Sequence, residues 1–266
     1  MIDTPEKQTT APTPPEPQRT ARTVWWIVGA ACTGLVLLFG MAVAGVWIWT
    51  VASPEESDKR TETYTQAVSG VDAEVEVGHL EFTASADGTL VVDRETRWHS
   101  DEPATSESWS GDVFNAMGEC DERFFIVWGG DECEVNYAFA VPSGTAVTAE
   151  NSVGDVVLDG VDGAIDVEAS VGEIEGENLR ATSTAVEASV GSVRLEYAEV
   201  RGDITVTADT GDVEILVPND GTTYDIEFEA GVGSQDIDID TSASQDADYV
   251  ITVNTSVGDL TVRYAD

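Results

Sequence analysis

The sequence predicts an all-β chain, a β-solenoid-like or β-helix-like stack of short strands standing behind a single transmembrane α-helix. Three observations carry that expectation. A short phrase recurs through the C-terminal half, as Ser152-Val153-Gly154-Asp155, Ser170-Val171-Gly172-Glu173, Ser189-Val190-Gly191-Ser192, Asp209-Thr210-Gly211-Asp212, Gly231-Val232-Gly233-Ser234 and Ser256-Val257-Gly258-Asp259. Apolar and polar residues alternate after each recurrence, as in Val193-Arg194-Leu195-Glu196-Tyr197. An uncharged run extends from Val24 to Val51.

From the N-terminus, residues 1–23 hold Pro12, Pro14, Pro15 and Pro17 among Thr and Gln and lack the apolar content for a core. They read as a disordered cytoplasmic tail. Val24 to Val51 is 28 residues, which as a helix spans about 42 Å, enough for a bilayer core with both interfaces. Trp25 and Trp26 stand at one end, Trp47 and Trp49 at the other, where an aromatic belt belongs. The run is too long for the apolar stretch of a cleaved signal peptide. Arg19 and Arg22 lie close before it, whereas Lys59 and Arg60 lie further beyond it, among Glu55, Glu56 and Asp58. The positive-inside rule therefore expects the N-terminus inside a cytoplasmic membrane and everything past residue 52 outside.

Residues 52–67 read as a linker and 68–266 as one acidic β-repeat ectodomain. Its first part, 68–150, is rich in aromatics such as Phe82, Trp109, Phe114, Tyr137 and Phe139, the large apolar area that capping the first turns of a stack requires. Cys120 and Cys133 are the two cysteines outside the apolar run, and in an extracellular domain they are expected to form a disulfide.

Residues 151–266 carry the repeats. The phrase glycines, Gly154, Gly172, Gly191, Gly211, Gly233 and Gly258, are 18, 19, 20, 22 and 25 residues apart. A period near twenty is one supersecondary unit repeated, each unit burying its apolar face on its neighbours. Half-repeats at Gly163-Ala164-Ile165-Asp166-Val167 and Gly202-Asp203-Ile204-Thr205-Val206 make about two strands per period. The phrase reads as turn chemistry, with the glycine supplying positive φ or a close approach between rungs. An antiparallel sandwich is the alternative architecture, although it has no reason to reuse one turn sequence.

Charge bounds the partners. From residue 61 on there are 45 acids against seven arginines and no lysine, a net charge of −38. Nucleic acid and bare anionic lipid are repelled by such a surface. Weakly held cations, basic proteins and neutral glycans remain, so a cell-surface or protein ligand is expected. No nucleophile elbow and no zinc-binding helix motif occurs, and His79 and His99 are far from either cysteine. The expectation is no enzyme, no catalytic residue, no cofactor and no specific metal site. Asp155, Asp159, Asp162, Asp166 and Glu173 cluster around turns without forming a known calcium loop.

The order Trp98, Trp109, Cys120, then Cys133-Glu134-Val135-Asn136-Tyr137, Val141-Pro142-Ser143-Gly144 and Gly-Asp strand repeats resembles the adhesin-like β-strand repeat family of bacterial envelope proteins, the DUF4097 group. The resemblance spans about residues 68–264. It implies an all-β, solenoid-like ectodomain behind a single membrane helix, with an adhesin-like role. The functional expectation is a non-enzymatic single-pass envelope protein whose surface domain serves interaction or structure. The alternative is a membrane-anchored regulatory or sensory component of an envelope-stress system.

Overall fold

The computed structural model describes residues 26, 33–34, 37–41, 43, 56–99, 101–120, 133–242 and 246–265. Residues 1–53 and 54–266 form two separate units. The described residues of the first are helical. Most of the predicted span 24–51 lies outside the described residues, among which no helix is long and apolar enough to cross a membrane.

The second unit is all β, with nineteen strands among the described residues. The N-terminal strands are β1 (Glu56–Tyr64), β2 (Gly70–Val77), β3 (Leu80–Ala84), β4 (Leu90–Trp98), β5 (Ala104–Ser110), β6 (Val113–Glu119) and β7 (Glu134–Val141). The repeats supply β8 (Ala146–Val153), β9 (Val156–Asp159), β10 (Ala164–Val171), β11 (Ile174–Leu179), β12 (Ser183–Val190), β13 (Val193–Tyr197), β14 (Ile204–Thr210) and β15 (Val213–Val217). The last four are β16 (Tyr224–Val232), β17 (Gln235–Asp238), β18 (Tyr249–Val257) and β19 (Leu260–Tyr264). Strand β1 falls within the segment 52–67 that reads as linker. It pairs antiparallel with β4 from Glu56 opposite Trp98 to Tyr64 opposite Leu90.

Each repeat contributes one strand to each of two sheets. The nine-strand sheet runs β16-β18-β14-β12-β10-β8-β2-β6-β5, and the ten-strand sheet β1-β4-β7-β3-β9-β11-β13-β15-β19-β17. Pairing is parallel and in register through the repeats, as in Val167 between Ala149 and Val186. Period-2 alternation sends one side of every strand into a shared core: Ile165, Val167 and Ala169 sit above Thr184, Val186 and Ala188, all buried. The one polar member of that group is satisfied, since Thr184 accepts a hydrogen bond from the Tyr197 hydroxyl at 2.9 Å.

The recurring phrase forms the corner where the chain passes from one sheet to the other. At Gly191 φ is +148°, and a Cβ there would stand 1.7 Å from the Gly172 carbonyl oxygen, so no larger residue fits. The acid after the glycine bonds the neighbouring rung. Asp155 Oδ1 accepts from the Glu173 amide at 2.9 Å, and Asp212 Oδ1 from the Asp259 amide at 2.9 Å.

The rungs do not stack in chain order. The last rung, β18–β19, lies against β14–β15, and the one before it, β16–β17, is pushed to the outside. Apolar content explains the exchange. Ile251, Val253, Leu260 and Val262 are fully buried between two rungs, whereas the more acidic β16–β17 leaves Ile226, Phe228 and Ile237 half-covered at the end. The same happens at the other end, where β2–β3 slips between β6–β7 and β8–β9. Aromatics close that end: Phe82 stacks on Phe139 at 5.0 Å, Phe139 on Tyr137 at 5.5 Å, and Trp109 meets Phe114 at 5.1 Å.

Candidate functional site

Charge is divided unequally between the two outer faces. On the ten-strand sheet, carboxylates meet arginines: Arg263 pairs across strands with Glu214 at 2.9 Å, and Arg194 also reaches Glu214 across strands and pairs with Glu196 of its own strand at 3.2 Å. Burial raises the Glu214 pKa, but the hydrogen bonds from Arg263 and Arg194 outweigh it and hold this carboxyl below its usual range. The nine-strand sheet contains neither Lys nor Arg in any of its strands. Its outward positions place Glu74, Glu150, Glu168 and Glu187 directly beside one another on successive strands. Neighbouring strands are about 4.8 Å apart, so these are like charges in a row. The Glu150 carboxyl is pushed up by desolvation first, then by the charges of Glu74, Glu168, Asp72 and Asp166.

At the disulfide end of this face the surface dips into an open cavity of about 800 Å³. It is lined by Glu74, Glu76, Asp101, Glu102, Glu119 and Glu150. Cys120 borders it and donates its amide to Glu76 Oε2 at 2.8 Å. Cys120 is bonded to Cys133, with their Cα atoms 6.0 Å apart.

Beside this end lies a buried ionic group. Arg94 Nη1 donates to Glu107 at 2.9 Å and to Thr105 at 3.0 Å, and the guanidinium also pairs with Asp58 at 3.5 Å. Both main partners are largely covered, at 13% and 14% side-chain exposure. The Tyr137 hydroxyl donates to the same Glu107, and burial together with that carboxylate pushes the phenol up to about 12. Four strands from both sheets meet here, which is a structural role.

Of the acids that cluster around the turns, Asp155, Asp159 and Asp162 hold corners. Asp155 bonds the Glu173 amide, Asp159 accepts from Asn178 at 2.9 Å, and Asp162 accepts from Ser143 and Gly144. Asp166 points outward from the nine-strand sheet. Among the described residues no three His, Cys, Asp or Glu side chains converge on a common point for a metal. His79 donates its main-chain amide to Asn136 Oδ1 at 2.7 Å.

Period-two alternation in Val167-Glu168-Ala169 and Val186-Glu187-Ala188 points Glu168 and Glu187 outward, whereas Glu74 and Glu150 were not singled out by the sequence. A signal was present: each of the four stands four residues before a corner glycine, Gly78, Gly154, Gly172 or Gly191. Val75-Glu76-Val77-Gly78 departs from the Ser-Val-Gly phrase and so escaped the count.

Residues 135–263 match the Toastrack DUF4097 family, a stretch that begins inside β7 and ends inside β19. Over this stretch, just under half of the chain, the protein is similar to the Toastrack family. The family match starts after the cysteine pair, so that pair lies outside it. Two solved structures are similar to this chain across 79% of its length. One is a candidate cell adhesion protein from Clostridium sporogenes, 10% identical with a TM-score of 0.46 and covered over 100% of its length. The other is a candidate adhesin from Bacteroides fragilis, 15% identical with a TM-score of 0.45 and covered over 98%. No curated protein matches the chain.

Proposed function

We propose that this protein is a non-enzymatic, single-pass envelope protein. Its acidic nine-strand face attaches weakly and at many points to cationic or cation-bridged surface material. The supporting observation is the glutamate row Glu74-Glu150-Glu168-Glu187 on a sheet without a single basic residue. A rigid row of equal charges gives a repeated ligand the same weak contact at each rung, and such contacts multiply. The charge also steers: it favours polycations and disfavours anionic lipid and nucleic acid.

The apolar run 24–51 and its flanking arginines support the anchoring part of this reading, with the β domain outside a bacterial cytoplasmic membrane. Two measurements test the reading. A membrane-impermeant protease added to intact, wall-stripped cells should remove the β unit, and survival until lysis would invert the topology. Retention of the protein on polycationic or cell-wall material should fall steeply with salt, and on cation-bridged anionic material it should also fall with a chelator. Retention indifferent to both would defeat the electrostatic reading.

A further inference from the structure

The corner phrase contains one residue that corner geometry does not explain. The glycine is required by the close approach of the next rung, and the acid bonds that rung's amide. The valine before the glycine bonds the neighbouring rung through its carbonyl, as Val190 accepts from the Gly172 amide, but its side chain has neither task, yet it recurs and stays exposed. Val153 is 48% exposed, Val171 48%, Val190 51%, Val257 49% and Val232 68%. Pairing aligns these residues in one continuous row: Val77, Val153, Val171, Val190, Thr210, Val257, Val232. Seven positions at about 4.8 Å make an apolar ridge about 29 Å long, broken once by the hydroxyl of Thr210.

Scattered exposed valines on a soluble surface need no explanation, but a contiguous apolar strip marks a contact surface. The banks of this strip define what fits. Glu150, Glu168 and Glu187 stand three residues before its valines, and Asp155, Glu173 and Asp259 two residues after. No Lys or Arg lies within two residues of any member of the row.

We propose that the valine ridge is the docking line for a cationic amphipathic helix of a partner protein. Helix pitch is about 5.4 Å, close to the rung spacing of about 4.8 Å, so successive turns of an apolar stripe meet successive valines. An extended strand repeats a given face only every ~6.8 Å and falls out of step at once. A length of about 29 Å corresponds to roughly 19 helical residues. Basic residues flanking the stripe face the two carboxylate banks. The proposal rests on the interaction reading above but concerns the corner, not the sheet face.

The test uses the full chain in discs of uncharged lipid, with empty discs as the blank. The probe is a fluorescent peptide of about 18 residues, with Leu on one helical face and Lys elsewhere, compared with a scrambled peptide of equal composition. Anisotropy titration should show the amphipathic peptide binding at least about tenfold more tightly than the scrambled one. Combining Val153→Ser, Val171→Ser and Val190→Ser should weaken it about thirtyfold. Thr210→Val, which completes the ridge, should tighten it about threefold. Should the triple variant lose its β circular dichroism, Thr210→Val alone decides. Equal binding of both peptides, an unaffected folded triple variant, or no gain from Thr210→Val overturns the ridge proposal. Retention on polycationic surfaces would survive that outcome, so failure of the ridge is distinguishable from failure of the acidic-face reading.

Discussion

Replacing Gly191 by Ala tests whether the rungs are held as rigidly as their register implies. A Cβ at this position meets the Gly172 carbonyl oxygen at 1.7 Å and its carbon at 2.7 Å, both main-chain atoms that cannot rotate aside. Two costs follow. The backbone conformation at φ +148° is nearly closed to a side chain, which contributes about 1–3 kcal/mol. Relief of the overlap requires the rungs to part by an ångström or more. That weakens the amide bonds that join these two rungs, Gly172 to Val190 and Ile174 to Ser192, both 3.0 Å, at about 1 kcal/mol each. The expected destabilisation is therefore about 3–5 kcal/mol. Gly88→Ala is the matched control. Its φ of +75° is also left-handed, but nothing lies within 4 Å of the added carbon, so about 1–2 kcal/mol is expected. Urea unfolding followed by circular dichroism reads both. If Gly191→Ala costs no more than Gly88→Ala, the rungs yield freely and close stacking is not what the corner glycine serves.

Removing the disulfide with Cys120→Ser should cost about 3 kcal/mol, since it frees a loop of about 14 residues in the unfolded chain, and reduction of the parent should reproduce the loss in thermal melting. Arg94→Met leaves the largely buried Glu107 without its cation and should cost about 3 kcal/mol, part of it recovered when Glu107→Gln is added, as read by denaturant titration. Glu150→Gln should stabilise the β unit at pH 7. Its carboxyl is raised in the folded chain, so its favourable contribution is complete below the unfolded range and is lost as pH rises through the folded value. The gain is about 0.5 kcal/mol, because the group is exposed and screened, and it should vanish below about pH 4 in a melting series.

Much of the architecture was legible in local pattern. Alternation at period two, as in Val193 to Tyr197, dictates a strand with one buried side, and recurring glycines dictate close corners, because both follow from backbone geometry within a few residues. The cysteine pair and the acidic surface likewise needed no fold to be seen. Strand β1 escaped because Glu56 to Tyr64 lacks apolar alternation, being an edge strand held by pairing with β4 instead of by a buried face. The ridge escaped for a different reason: a valine in a corner phrase looks like any other valine until its exposure is known.

Stacking order belongs to the tertiary structure alone. Repeats of like sequence are interchangeable by pattern, and the widening of the period to 22 and 25 residues looks like drift. It reflects the longer connections that let β18–β19 enter between β14–β15 and β16–β17, where two neighbours cover its apolar residues and the acidic rung is left at the edge. The same distinction governs charge. Composition determined that the domain is acidic, but only lateral pairing decided that the strand arginines face glutamates on one sheet while Glu74, Glu150, Glu168 and Glu187 form an uncompensated row on the other. Contacts between stacked rungs join residues from 18 to more than 70 positions apart, and neighbours at that distance are chosen by what the whole core must bury.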